Sequence, residues 1–173
     1  RLRGPSPHGF RTRRFRDSEM RRNSVAGCRI TAHSNGMKAA LAVKQNAWTW
    51  QDYRSWPDSE RWQIVGGEAY AMSPAPATRH QLLAGRLNRQ WGNFLDGKPC
   101  EVYPAPTDLK LSETDIVQPD LMVVCDRNQV RPTHIEGPPS LVIEILSPST
   151  EALDRGRKLD LYAASGVKEI WLV

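Results

Sequence analysis

Cysteine is scarce in this chain, and long apolar runs are missing. The three cysteines, Cys28, Cys100 and Cys125, are odd in number and far apart. They match no metal-ligand spacing and suggest no disulfide framework, so a reducing cytoplasm fits best. No apolar stretch approaches the roughly 20 residues that a membrane-spanning helix needs. The phosphate-cradling glycine loop that ends in Gly-Lys-Ser/Thr is also missing, which argues against nucleoside triphosphate hydrolysis. Six tryptophans are many for 173 residues. They form no evident ladder for stacking bases, and Trp91 and Trp171 fit a core. No internal repeat is visible.

The basic balance is confined to one end. Residues 1–36 hold nine Arg against one Asp and one Glu, a charge of +7, whereas residues 37–173 carry −2. The overall +5 therefore gives no argument for nucleic-acid binding by the patterned region. The first 36 residues have no apolar period, and Met37 follows them directly. Three readings compete: non-native upstream sequence ahead of the true start, a disordered basic arm that touches nucleic acid, and a targeting peptide. One domain is expected over 37–173. It ends inside an apolar strand, Ile170 to Val173, which suggests a chain cut short at its C-terminus.

The patterning predicts alternating elements. Thr49 can cap a short helix carrying Trp50, Tyr53 and Arg54, stopped by Pro57. Gln63 to Met72 reads as two strands around a turn at Gly66 and Gly67. In the segment Arg79 to Leu95, Leu83, Leu87, Trp91 and Phe94 recur at helical spacing and form one apolar face. Cys100 to Leu111 offers one or two strands, broken at Pro104 and Pro106. Ile116 to Cys125 reads as one strong strand, and Asp126 to Pro139 as a polar hairpin loop. Leu141 to Leu146 reads as a buried strand. A helix capped by Ser149 or Thr150 then runs to about Ala164 and stops at Gly166. This order gives an α/β or α+β sheet flanked by helices.

The chemistry concentrates in the last third. Asp120 follows Pro119 at the head of an apolar strand, and Glu144 interrupts another strand that is otherwise apolar. Buried acids are costly without a partner or a metal. If the two strands are neighbours, both carboxylates can approach one hard cation, with the backbone carbonyl of Ile145 as a further oxygen. Asp154, Lys158 and Tyr162 follow at i, i+4 and i+8 and share a helix face. From that face Lys158 could reach a metal-bound water. Each feature also has a plain reading. Asp120 can start a turn, Glu144 and Lys158 can form a structural ion pair, and Asp154 and Lys158 can pair on a helix surface. Tyr162 can simply pack, and Glu68 can face solvent. His80, at a helix start, reads as a surface or capping residue. Arg79, Arg86 and Arg89 on the first long helix could touch phosphates or form a solvated face.

Order, spacing and flanking strings together tip these odds. The segments WQIVGGEAYAMSPAPATRHQ, QPDLMVV, LVIEILSPST, GVKEIWLV and the D-x-x-x-K-x-x-x-Y run across Asp154, Lys158 and Tyr162 resemble the Uma-two restriction-endonuclease family, which is PD-(D/E)XK nuclease-like. The resemblance covers Trp48 to Val173. It implies a restriction-endonuclease-like α/β core, a central mixed β-sheet flanked by helices. It also implies Mg²⁺- or Mn²⁺-dependent hydrolysis of DNA, with Asp120 and Glu144 on the metal and Lys158 catalytic. Glu68, Asp154 and Tyr162 would support them. Duplex cleavage needs two sites, so a homodimer is compatible, though no residue shows it. Two departures stand out. The lysine of the simpler nuclease pattern would fall at Leu146, and the family resemblance moves it to Lys158. Gln63 stands where the family usually has glutamate, while Glu68 matches. The alternative is a non-catalytic nucleic-acid-binding or interaction module on a degenerate nuclease fold.

Overall fold

The computed structural model describes residues 47–57, 59–72, 75–148 and 150–173. The basic segment 1–36 and the cap at Ser149 lie outside them. A four-residue helix, α1 (Trp50–Tyr53), opens the described chain. Thr49 caps it through a reciprocal box with Asp52, as the sequence predicts. A hairpin follows, β1 (Trp62–Val65) and β2 (Glu68–Ala71). Its turn residues Gly66 and Gly67 have φ of 59° and 76°. Two positive φ values in succession suit the right-handed strand twist, and glycine adopts them without steric cost. At Gly67 a side chain would also strike Ala47, whose Cβ lies 2.4 Å from the position a Cβ would take.

The long helix α2 (Thr78–Leu95) matches the expected span within one residue. Its buried face differs from the expected one at the C-terminal end. Leu87 and Leu95 are buried, whereas Phe94 is 60 % exposed and carries the Lys98 ammonium over its ring. The apolar stripe drifts around the helix because the 3.6-residue period outruns a strict three-four spacing.

Strands β3 (Glu101–Pro104), β4 (Leu109–Ser112), β5 (Asp115–Val117), β6 (Leu121–Val124), β7 (Ile135–Glu136), β8 (Leu141–Glu144) and β9 (Glu169–Leu172) complete two mixed sheets. One has the order β2-β1-β5-β4-β7, and the other β3-β6-β8-β9. The single strand expected from Ile116 to Cys125 is in fact two strands in different sheets. Pro119 cannot donate to a ladder, so the chain leaves the first sheet after Val117 and enters the second at Leu121. The loop expected between Asp126 and Pro139 also contains a strand, β7, which pairs in parallel with β4.

The last helix is broken. It comprises α3 (Glu151–Leu153), a wide π-type turn over Asp154–Lys158, and α4 (Leu159–Ala164). Gly156 inside the turn has φ −101° and ψ −105°, away from helical values. A turn with one extra residue occurs mostly as a single bulge, and such bulges concentrate at functional sites.

Two apolar clusters hold these layers. Leu87 and Leu95 of α2 pack with Leu121, Val123, Leu141 and Ile143 on one face of the four-stranded sheet. On the other face Met122, Val124 and Val142 meet Tyr162 of α4 together with Val65, Leu109 and Val117 of the five-stranded sheet. Alternation along β6 and β8 thus fixes which side chains face which layer.

The cysteine expectation needs correcting. Antiparallel β3 and β6 pair Glu101 with Val124, and one step further that register sets Cys100 opposite Cys125, where the two form a disulfide. Strand pairing joins residues 25 apart in sequence, which spacing alone does not reveal. Cysteine usage therefore gives no argument for a reducing compartment. Among the described residues no helix is long and apolar enough to cross a membrane.

The α2 packing is open to test. Leu87→Ala should cost about 2–5 kcal/mol, whereas Phe94→Ala should change stability by less than about 1 kcal/mol. Denaturant unfolding of the two variants checks this, and equal losses would contradict the assigned buried face.

Candidate active site

The site forms where β6 and β8 open at one end of the four-stranded sheet. Antiparallel pairing sets Leu121 opposite Ile143 and Met122 opposite Val142. Continued by one residue, the same register sets Asp120 opposite Glu144. By alternation both carboxylates fall on the face of Met122 and Val142, the face that Tyr162 covers. The arrangement depends on Pro119, because the sheet change there makes Asp120 the first residue before β6.

Lys158 is the pivot of the cluster. Its Nζ lies 2.5 Å from Glu144 Oε1 and 3.1 Å from Asp154 Oδ1. The Tyr162 hydroxyl donates to the same Glu144 oxygen at 2.6 Å. Glu144, Asp154 and Lys158 are only 3–4 % exposed, so the Asp154–Lys158 pair is no solvated helix-surface contact. Asp120 is held separately. Its Oδ2 accepts the Ile145 N–H at 2.7 Å and lies 3.2 Å from His80 Nε2. Its backbone carbonyl accepts the Ala105 N–H at 2.9 Å.

The charges do not balance. Three carboxylates, the buried Glu144 and Asp154 and the partly exposed Asp120, face the Lys158 ammonium, with the His80 imidazole beside Asp120. Burial pushes Glu144 up to about 7, and Asp154 and Asp120 add to this against the pull of Lys158. Burial also raises Asp120, opposed by the Ile145 N–H, His80 and Lys158. For Lys158, burial alone would lower the pKa, but the Glu144 and Asp154 carboxylates outweigh it and hold the ammonium charged. Tyr162 stays a neutral donor, raised well above its usual value by burial and Glu144.

This surplus of buried negative charge, carried by hard oxygen donors, suits a divalent cation such as Mg²⁺ or Mn²⁺. Asp120 and Glu144 would hold it. The Ile145 carbonyl, which accepts no hydrogen bond among the described residues, is a third oxygen nearby. Among the described residues no group of three His, Cys, Asp or Glu side chains comes together as a metal nest. Two carboxylates, a carbonyl and water would have to suffice.

The other sequence-derived residues are dispersed. Glu68 is exposed on β2 and bonds to Arg157 Nη1 at 2.5 Å and to the Tyr70 hydroxyl at 2.8 Å. It neighbours the turn that carries Lys158 without joining the cluster. Arg79, Arg86 and Arg89 are exposed on α2, and none pairs with a carboxylate among the described residues. Gln63 is 5 % exposed, and its Oε1 finds no partner. Alternation sets it on the face of Val65, toward the Tyr162 cluster.

His80 is not the surface or capping residue that its place at a helix start suggests, since its side chain is mostly buried. It sits on the first turn of α2 and points into the site, toward Asp120. Local sequence gave little signal, because the contact spans 40 residues. Local sequence also gave no signal that the aromatics cluster. Trp48, Trp50, Tyr53, Trp56 and Trp62, which form no ladder in sequence, come together in one cluster beside the site.

The two mixed sheets flanked by helices form a nuclease-like class of fold. A solved structure of the same class, titled a "putative nuclease belonging to DUF820" from Anabaena variabilis ATCC 29413, superimposes with a TM-score of 0.62 at 15 % identity. The match covers 72 % of this chain and 73 % of that one. The family profile of Uma2, described as "Putative restriction endonuclease", matches residues 50–173, and this chain belongs to that family. A curated relative, uncharacterized protein slr1290 of Synechocystis sp. (strain ATCC 27184 / PCC 6803 / Kazusa), is 33 % identical over 126 residues. That match covers 71 % of this chain, and the chain spans 66 % of the relative's length.

The raised Glu144 pKa has a consequence for stability. The folded chain binds this proton more tightly than the unfolded chain, whose carboxylate titrates near 4.5. The stability it contributes is complete below about 4.5 and is lost as pH rises through about 7. The metal-free protein should therefore melt at falling temperature across that window, and Glu144→Gln should flatten the slope. Thermal unfolding in chelator checks this, and a wild-type slope identical to that of the variant would contradict it.

Proposed function

We propose that this chain is a metal-dependent endonuclease that hydrolyses phosphodiester bonds of DNA. The observation that supports this most is the register that opposes Asp120 to Glu144, with Lys158 buried against Glu144. When bound, the divalent cation supplies charge neutralisation at the phosphate and a more acidic water. The rest is the work of the chain's own side chains. Asp120 is oriented by the Ile145 N–H and by His80, so its carboxylate needs no reorganisation when substrate arrives. Tyr162 fixes the Glu144 carboxylate by donating to one of its oxygens. Lys158 has three N–H donors, and two meet Glu144 and Asp154. The third can meet a phosphate oxygen or the attacking water and offset the charge that develops at phosphorus. Arg79 and Arg86, exposed and seven residues apart on the same helix, would touch flanking phosphates.

The competing reading is a non-catalytic nucleic-acid-binding or interaction module on a degenerate nuclease fold. Gln63 favours it, since a neutral amide stands where the family usually has an acid, and its oxygen is buried without a partner. Supercoiled plasmid incubated with Mg²⁺ or Mn²⁺ separates the two. The wild type should nick, and Asp120→Asn, Glu144→Gln and Lys158→Ala should each slow nicking at least about 100-fold. A wild type that binds plasmid without nicking it establishes the module instead. Nicking that survives all three substitutions places the chemistry elsewhere.

A further inference from the structure

The aromatic cluster borders a half-open cavity of about 450 Å³. Tyr53, Trp56 and Trp62 wall it, and Arg61, Asp108 and Gln118 line its polar side. Trp56 and Trp62 meet edge to face, with centroids 5.9 Å apart and planes at 68°. Trp56 also meets Tyr53 at 60° and Trp48 at 79°. The cluster is therefore a framework of inclined rings rather than a closed stack.

The polar side is a connected network with open ends. Asp108 Oδ1 accepts from the Tyr53 hydroxyl and from Gln118 Nε2, both at 2.8 Å. Gln118 Oε1 accepts from Arg61 Nη2 at 2.5 Å. Burial and the Asp108 carboxylate keep the Tyr53 phenol protonated as a donor. Asp108 Oδ2 takes no hydrogen bond among the described residues. The Arg61 Nε–H is buried with no partner, which typically costs about 1–3 kcal/mol unless a ligand meets it. An unpartnered guanidinium donor and an unpartnered carboxylate oxygen on residues lining one cavity, with aromatic walls, match the edge and the faces of a planar heterocycle.

The position of the cavity narrows the class of ligand. Gln118 lies two residues before Asp120, so their Cα atoms are at most about 7 Å apart. Pro106, which also lines the cavity, follows Ala105, whose N–H is bonded to the Asp120 carbonyl. Cavity and carboxylate thus flank one short piece of chain, at a separation that a single nucleotide can span.

We propose that this cavity receives one nucleobase of the strand being cut, turned out next to the phosphate at Asp120 and Glu144. The base stacks on Trp62 or Trp56, and its edge meets Arg61 Nε–H and Asp108 Oδ2. The inference rests on reading Asp120 and Glu144 as a nuclease centre, and the test keeps the two apart. Full-length protein in chelator is titrated with a labelled single-stranded oligonucleotide, intact or with one abasic site placed at each position in turn. Binding is read by fluorescence anisotropy. One abasic position should weaken binding about 5- to 100-fold. Trp62→Ala should erase that discrimination, and Trp62→Phe should keep most of it. Should Trp62→Ala fail to fold, Arg61→Lys carries the comparison, because it keeps the charge, removes the Nε–H and should shrink the discrimination. Equal binding of all abasic strands would overturn the proposal, as would discrimination unchanged in these variants. Cleavage with Mn²⁺ is scored separately on the intact strand. Discrimination without cleavage counts against the nuclease reading alone, and cleavage without discrimination counts against the pocket alone.

Discussion

The register between β6 and β8 is the constraint on which the site depends. Because side chains alternate along a strand, a slip of one residue would turn either Asp120 or Glu144 to the α2 face, among Leu87, Leu121 and Ile143. Met122, Val124 and Val142 fix the register by filling the opposite layer against Tyr162. The apolar core and the polar site are therefore set by the same pairing. The disulfide between Cys100 and Cys125 ties β3 to β6 at the far end of the strand from Asp120.

Within that frame the buried charge is deliberate in its cost. Glu144, Asp154 and Lys158 are all removed from water, and replacing such a group by apolar residues of similar size is often neutral or stabilising. Burial chiefly lifts the Glu144 and Asp120 carboxyls, and the neighbouring carboxylates add to it against the pull of Lys158. An arrangement of this kind serves stability poorly, which is the physical ground for proposing a cation there. The wide turn at Asp154–Lys158 belongs to the same logic. It breaks the helix at Gly156 and brings both ionic side chains inward, at the expense of regular hydrogen bonding.

Much of this was legible in the chain. Asp120 after Pro119, and Glu144 inside an apolar strand, stood out because acids rarely interrupt buried strands. The i, i+4, i+8 spacing of Asp154, Lys158 and Tyr162 gave their shared face even though the helix is not regular there. Contacts that depend on strand order were not legible. His80 meets Asp120 across 40 residues, and Cys100 meets Cys125 only through the β3–β6 register. The sheet change at Pro119 was hidden because Gln118, Pro119 and Asp120 are a short polar break between two apolar runs, Ile116–Val117 and Leu121–Cys125, which sequence alone reads as one strand. The aromatic cluster was hidden as well, since its rings come from α1, the segment after it and the start of β1. Periodicity reports the face of one element and carries no information about which elements meet.

The central claim is that the surplus charge at Asp120 and Glu144 is a divalent-cation site. Isothermal titration of full-length protein with Mn²⁺ at neutral pH tests it most directly, beside Asp120→Asn and Glu144→Gln variants that remain folded. The account predicts saturable binding in the wild type that either substitution weakens at least tenfold. No binding at millimolar Mn²⁺, or binding that both variants retain unchanged, would contradict it.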